Sequence, residues 1–108
     1  MTEFDPDKFE DKYVHYFPEL QKAYKRAFEY MNDRYDSELI HAIDQGVLAE
    51  SEPFYEGEGR FRVELPDEPV ARIAGQGVLV DENRAMEVID VYVDRLEREI
   101  RVTFGFEG

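Results

Sequence analysis

The apolar side chains Phe9, Tyr13, Tyr16, Phe17, Leu20, Tyr24, Ala27, Phe28, Met31 and Tyr35 recur at three and four residues, and this stripe constrains the fold more than any other feature of the chain. That period puts them on one face of a helix, a face that must be buried against another element. The start is marked: Asp5 and Pro6 suit an N-cap and a first helical residue, Asp7 puts negative charge in the first turn, and Phe4 and Phe9 have the spacing of a hydrophobic staple. Pro18 falls within the stripe, where it removes a helical hydrogen bond and clashes with the preceding turn. The phase runs through it, whereas two helices joined by a loop usually lose phase. The expectation is one long helix over residues 6–34 kinked near Pro18, with a clean break at Phe17–Pro18 as the alternative.

The rest of the chain supplies what this helix packs on. Asp36 can cap a second helix with Leu39, Ile40, Ile43, Val47 and Leu48 inside, weakened by Gly46 and ended by Ser51-Glu52-Pro53. Glu56 to Gly59 is turn chemistry, and the alternation in Arg60 to Leu65 predicts a strand with Phe61, Val63 and Leu65 on one face. Pro66 to Pro69 reads as a turn opening a short helix through Ile73, broken at Gly75-Gln76-Gly77 before the apolar Val78-Leu79-Val80. Asp81 caps a last long helix whose buried stripe is Ala85, Ile89, Tyr92, Val93, Leu96 and Ile100, with Asp94/Arg98 and Glu97/Arg101 as i,i+4 pairs outside and Gly105 as its stop. Residues 99–106 also alternate as a strand would; the arginines at 95, 98 and 101, suited to the negative end of a helix dipole, favour helix.

A chain of 108 residues accommodates one core, expected over 1–108 as a single domain. Its 26 Asp and Glu against 13 Lys and Arg give a net charge of -13, and only Lys8, Lys12, Lys22 and Lys25 carry ammonium groups. Such self-repulsion is tolerable where salt screens it, since the Debye length falls to about 3 Å at molar ionic strength. Acid excess with scarce lysine therefore points to a salt-rich cell interior. The absence of Cys excludes disulfides, thiolate metal sites and iron–sulfur centres, and two histidines cannot build the usual structural zinc sites. The start has neither a basic nor an apolar signal region and no apolar run approaches a membrane span, so the expected location is cytoplasmic, without membrane contact.

Three segments, Phe4 to Phe17, Tyr35 to Gln45 and Ser51 to Gly57, resemble a family of short acidic haloarchaeal proteins of unknown function, over essentially the whole chain. The resemblance implies a halophilic archaeal cytoplasm and carries over no activity and no functional residue.

Few constellations carry chemistry. Asp11, His15 and Glu19 lie at i, i+4 and i+8, which on an unbroken helix sets an imidazole between two carboxylates as a candidate metal site. The bland reading is a solvated acidic face. His41 between Glu38 and Asp44 invites the same comparison, without ligands from a second element. Gly57-Glu58-Gly59 and Gly75-Gln76-Gly77 lack the further Gly or Lys of a phosphate loop, so no cofactor is expected. Each cluster of basic residues is diluted by acids, which argues against nucleic acid, and Ser37 and Ser51 offer little material for a nucleophilic triad.

These readings converge on an α+β fold: N-terminal helices, a small antiparallel sheet within residues 53–80 and a long C-terminal helix over 81–103. The apolar surface of two long helices exceeds what one small sheet covers, which predicts a homodimer. The leading functional expectation is a non-catalytic interaction or regulatory module. The alternatives are a small metal-assisted enzyme or ligand-binding domain using His15 or His41, and an acidic mimic that occupies a basic protein.

Overall fold

The computed structural model describes residues 4–106; the ends of the domain expected over 1–108, Met1 to Glu3 and Glu107 to Gly108, lie outside the described residues. The architecture is α+β. Helices α1 (Pro6–Phe9), α2 (Lys12–His15), α3 (Phe17–Arg34) and α4 (Ser37–Gly46) lead through a 3-10 turn at Leu48–Glu50 into strands β1 (Glu52–Gly57) and β2 (Arg60–Glu64), followed by α5 (Pro69–Gly75) and α6 (Glu82–Thr103). The two long helices, α3 and α6, pack on each other; β2 lies against α6, and α4 against α3 and α5. Ala23 and Ala27 keep the buried face of α3 narrow, while α6 contributes the large Tyr92, Leu96 and Ile100.

The caps form where the sequence places them. Asp5, Asp36 and Asp81 accept from the backbone N–H groups of Asp7, Leu39 and Arg84 through their carboxylates. The C-terminus of α6 is a Schellman turn: Phe106 N–H donates to Arg101 O at 2.8 Å and Gly105 N–H to Val102 O at 3.1 Å, with Gly105 at φ 82°. Residues 99–103 are therefore helix, and the alternation beyond Ile100 reflects Phe104 and Phe106 turning back onto the hairpin. Phe4 gathers Phe9, Tyr16, Tyr55, Phe61, Phe104 and Phe106 around itself at centroid distances of 4.8–5.6 Å, so that one aromatic cluster ties both ends of the described chain to the sheet.

Within residues 53–80 the sheet is confined to the β1–β2 hairpin, and 69–75 is the short helix expected after Pro69. Val78 to Val80 form no strand, and Leu79 is 95% exposed. Glu58 and Gly59, both at positive φ, make the two-residue turn. Pro53 faces Val63; having no N–H, proline can occupy only a non-hydrogen-bonded pair, which turns the Val63 N–H outward, and Glu97 Oε2 accepts it at 2.9 Å. Glu97, expected to pair with Arg101 on the outer surface, is thus drawn to the sheet edge. An i,i+4 ion pair on α6 joins Arg95 to Glu99 at 2.7 Å.

The N-terminal stripe departs most from expectation. The chain leaves the helical path beside Pro18, but as a break at Tyr16 (φ -127°, ψ 18°) rather than a kink, one residue ahead of the alternative break at Phe17–Pro18. A second interruption at Glu10–Asp11 separates α1 from α2. Pro18 thereby falls in the first turn of α3, where a missing N–H forfeits nothing. Tyr16 leaves the helix to enter the aromatic cluster, and its hydroxyl accepts the Asp5 N–H at 2.8 Å.

Candidate binding groove

The break redistributes the stripe. Of its members Phe9, Tyr16, Leu20, Ala27 and Met31 stay buried, whereas Tyr13 is 54% and Phe17 47% exposed; Val14, which the stripe does not include, is 78% exposed beside them. Lys12, which the unbroken helix leaves outside, is turned in and only 5% exposed. Its ammonium lies 2.8 Å from Glu52 Oε2 and over the rings of Phe9, Tyr13 and Phe54 at 5.5, 5.3 and 4.9 Å. The aliphatic stem fills space among aromatics while the charge meets a half-exposed carboxylate, so the cation is paired rather than stranded. The Arg62 guanidinium also lies over Phe54, at 5.0 Å, and is itself fixed by Glu56 and Glu64.

Two depressions with no lining residue in common lie between the N-terminal helices and the segment from the 3-10 turn into β1, and the Lys12–Glu52 bridge belongs to the wall of the first. The first, about 460 Å³, is walled by Asp7, Phe9, Glu10, Lys12, Glu52, Phe54 and Tyr55 together with Pro6. The second, about 280 Å³, is walled by Tyr13, Phe17, Leu20, Gln21, Tyr24, Leu48, Ala49 and Ser51. Its floor is locked by a short chain of hydrogen bonds. The Ser51 hydroxyl donates to Leu48 O at 2.6 Å, which leaves Tyr24 OH to donate to Ser51 Oγ at 2.9 Å. Burial pushes the Tyr24 phenol up to about 12, partly opposed by that bond to Ser51. The Tyr13 phenol is raised by partial burial and by the neighbouring Glu52 charge. Both phenols stay neutral at ordinary pH, so the second depression is lined by uncharged side chains, whereas the first carries Asp7, Glu10, Lys12 and Glu52.

The expected metal site is not assembled. Asp11 precedes α2, His15 is its exposed last residue, and Glu19 lies across the Tyr16 break in the first turn of α3. The spacing that puts these three on one face needs the helix that the break removes. There Glu19 faces the positive end of a helix dipole, which accounts for an acid at that position. Exposed His41 donates from Nδ1 to Ser37 O at 2.8 Å and sets its ring edge-on to Phe28 at 4.9 Å. Nearby Asp44 has its carboxyl raised by burial and drawn back down by His41. Among the described residues no three His, Asp or Glu side chains are gathered so as to hold a metal ion.

Sequence reasoning missed the groove because it placed Tyr13 and Phe17 in the core. The available signal was Pro18, which forfeits nothing in the first turn of a helix and so favours a helix that starts just ahead of it. Among the described residues, no helix is long and apolar enough to cross a membrane. No curated protein and no solved structure matches the chain. Residues 1–107 match the model of a family of unknown function, DUF5783, and the chain belongs to that family.

Proposed function

We propose that this protein is a non-catalytic interaction module whose binding face is the apolar groove between α2–α3 and the 3-10 turn. The observation that carries the reading is the outward display of Tyr13, Val14 and Phe17, each about half exposed or more, beside an apolar hollow. Large apolar groups concentrated on one short segment are what a partner surface uses, and covering the half-exposed Tyr13 and Phe17 would return about 1 kcal/mol each, roughly half the value for a fully exposed side chain. The net charge of -13 and the four lysines support a salt-rich cytoplasm as the working solvent, since screening lets an acidic surface remain compact. A homodimer is one form such a module can take, read out by sedimentation in concentrated KCl.

The test is site-specific photocrosslinking in native cells, with a photoreactive phenylalanine at position 14 or 17 and, as a control, at the exposed Glu82 on α6. The reading expects a discrete adduct from positions 14 and 17 and none from 82. Adducts from all three, or from none, contradict it.

A further inference from the structure

Among the described residues, the segment 4–15 is an arm joined to the rest of the chain only at Tyr16. Its helices α1 and α2 are one turn each, too short to persist alone, so the arm is ordered by what it packs against. Phe4 and Phe9 enter the aromatic cluster against Phe61 and Phe104, and the Lys12 ammonium meets Glu52 and Phe54 of β1. The sequence also suits a second arrangement of the joint. Phe9, Tyr13, Tyr16, Phe17 and Leu20 keep one helical phase across the break, so an arm that swings out continues α3 with these side chains on one face, kinked at Pro18. Swinging out uncovers Phe9, Phe61 and Phe104, each under 5% exposed in the closed arm, and water does not tolerate that surface for long.

We infer, resting on the binding reading above, that the partner of this face is a second copy of the chain and that two copies exchange arms about a two-fold axis, residues 4–15 of each packing on the hairpin and α6 of the other. The occupant is selected by identity. The surface uncovered by a swung-out arm already fits residues 4–15, and every contact of the closed arm is remade between copies. Apart from the Lys12–Glu52 pair these contacts are apolar, so salt that screens charge leaves them in place. Exchange also adds what the closed monomer lacks. Tyr13, Val14 and Phe17, half exposed or more, flank the joint where the two chains cross, and the crossing covers them.

The test reads which chain supplies each half of the Lys12–Glu52 pair, whose 2.8 Å separation suits a zero-length carbodiimide crosslink. Sedimentation of the unmodified chain in concentrated KCl is expected to show a dimer whose share rises with protein concentration. Equal amounts of heavy-isotope-labelled and unlabelled chain are then unfolded together, refolded in the same salt, crosslinked and digested, and the linked Lys12–Glu52 peptides of the dimer fraction are weighed. Arm exchange predicts that about half of them join a heavy to a light peptide, as random pairing requires. Pro18→Ala, which removes the obstacle to a continuous helix, is expected to raise the dimer share. A chain that stays monomeric at high protein concentration overturns the inference, as does a dimer whose linked peptides are all of one isotope, the mark of side-by-side association with closed arms. An unchanged or lowered dimer share for Pro18→Ala counts against the swung-out arm and overturns it too. Adducts from positions 14 and 17 to a different protein, with no dimer, overturn the inference and leave the binding reading standing; absence of those adducts removes the reading itself.

Discussion

Phe17→Ala and Leu20→Ala are separated by less than one helical turn, and the break at Tyr16 gives them losses of different size. Leu20 is 3% exposed in the core, so its truncation removes the transfer energy of the side chain and leaves a cavity, together about 2–5 kcal/mol. Phe17 is 47% exposed, so roughly half of the ~1.5–3 kcal/mol of a fully buried side chain is at stake, about 1 kcal/mol, and water rather than a void replaces the ring. Urea unfolding in concentrated KCl, fitted with a common slope for wild type and both variants, reads the difference directly. The expected result is a small shift for Phe17→Ala and a loss at least about twice as large for Leu20→Ala. An unbroken stripe puts both side chains inside and predicts that truncating the phenylalanine costs about 3–5 kcal/mol. That outcome would refute the break and with it the groove.

Three further outcomes follow from particular contacts. Gly46→Ala should lower stability by about 1 kcal/mol in the same assay: a Cβ there lies 2.9 Å from the Arg72 carbonyl oxygen, and overpacking of about 1–3 kcal/mol outweighs a helix-propensity gain of at most about 1. A stabilised variant contradicts the close α4–α5 approach. Burial raises the carboxyls of Glu97 and Asp44 above their ordinary 4.5 and 3.8, so the folded state binds these protons more tightly than the unfolded chain and stability rises as pH falls from neutrality through the folded values. The urea midpoint should be higher at about pH 5 than at pH 7, with Glu97→Gln reducing the slope; a lower midpoint at pH 5 reverses the sign and defeats the argument. Thermal stability should climb with KCl as the charge of -13 is screened, and equal stability in dilute buffer would return the acidic surface to the functional evidence.

Local chemistry was legible in the sequence wherever it is decided by neighbours along the chain. The caps at Asp5, Asp36 and Asp81, the hairpin turn before Arg60, the short helix after Pro69 and the stop at Gly105 each depend on side chains within a few residues, and each forms as read. What escaped depends on partners distant in sequence. Tyr16 leaves the helix because an aromatic cluster assembled from residues 4 to 106 receives it, and no periodicity reports that competition. Lys12 is buried because Glu52 and Phe54 come from β1, a strand that Pro53 disguises as the end of a helical half. Glu97 abandons an exposed ion-pair position because the hairpin offers it an outward N–H. The candidate site was therefore missed for the same reason as the break, since the residues that line it were counted as core.

Hydroxyl-radical footprinting, read residue by residue with and without the partner captured from position 14, tests the binding groove most directly. In the free protein Tyr13, Val14 and Phe17 should label readily while Tyr16 and Tyr92 stay protected, and partner binding should protect the first three and leave exposed Val91 on α6 unchanged. Protection of Tyr13 and Phe17 in the free protein, or a partner footprint centred on α6, would contradict it.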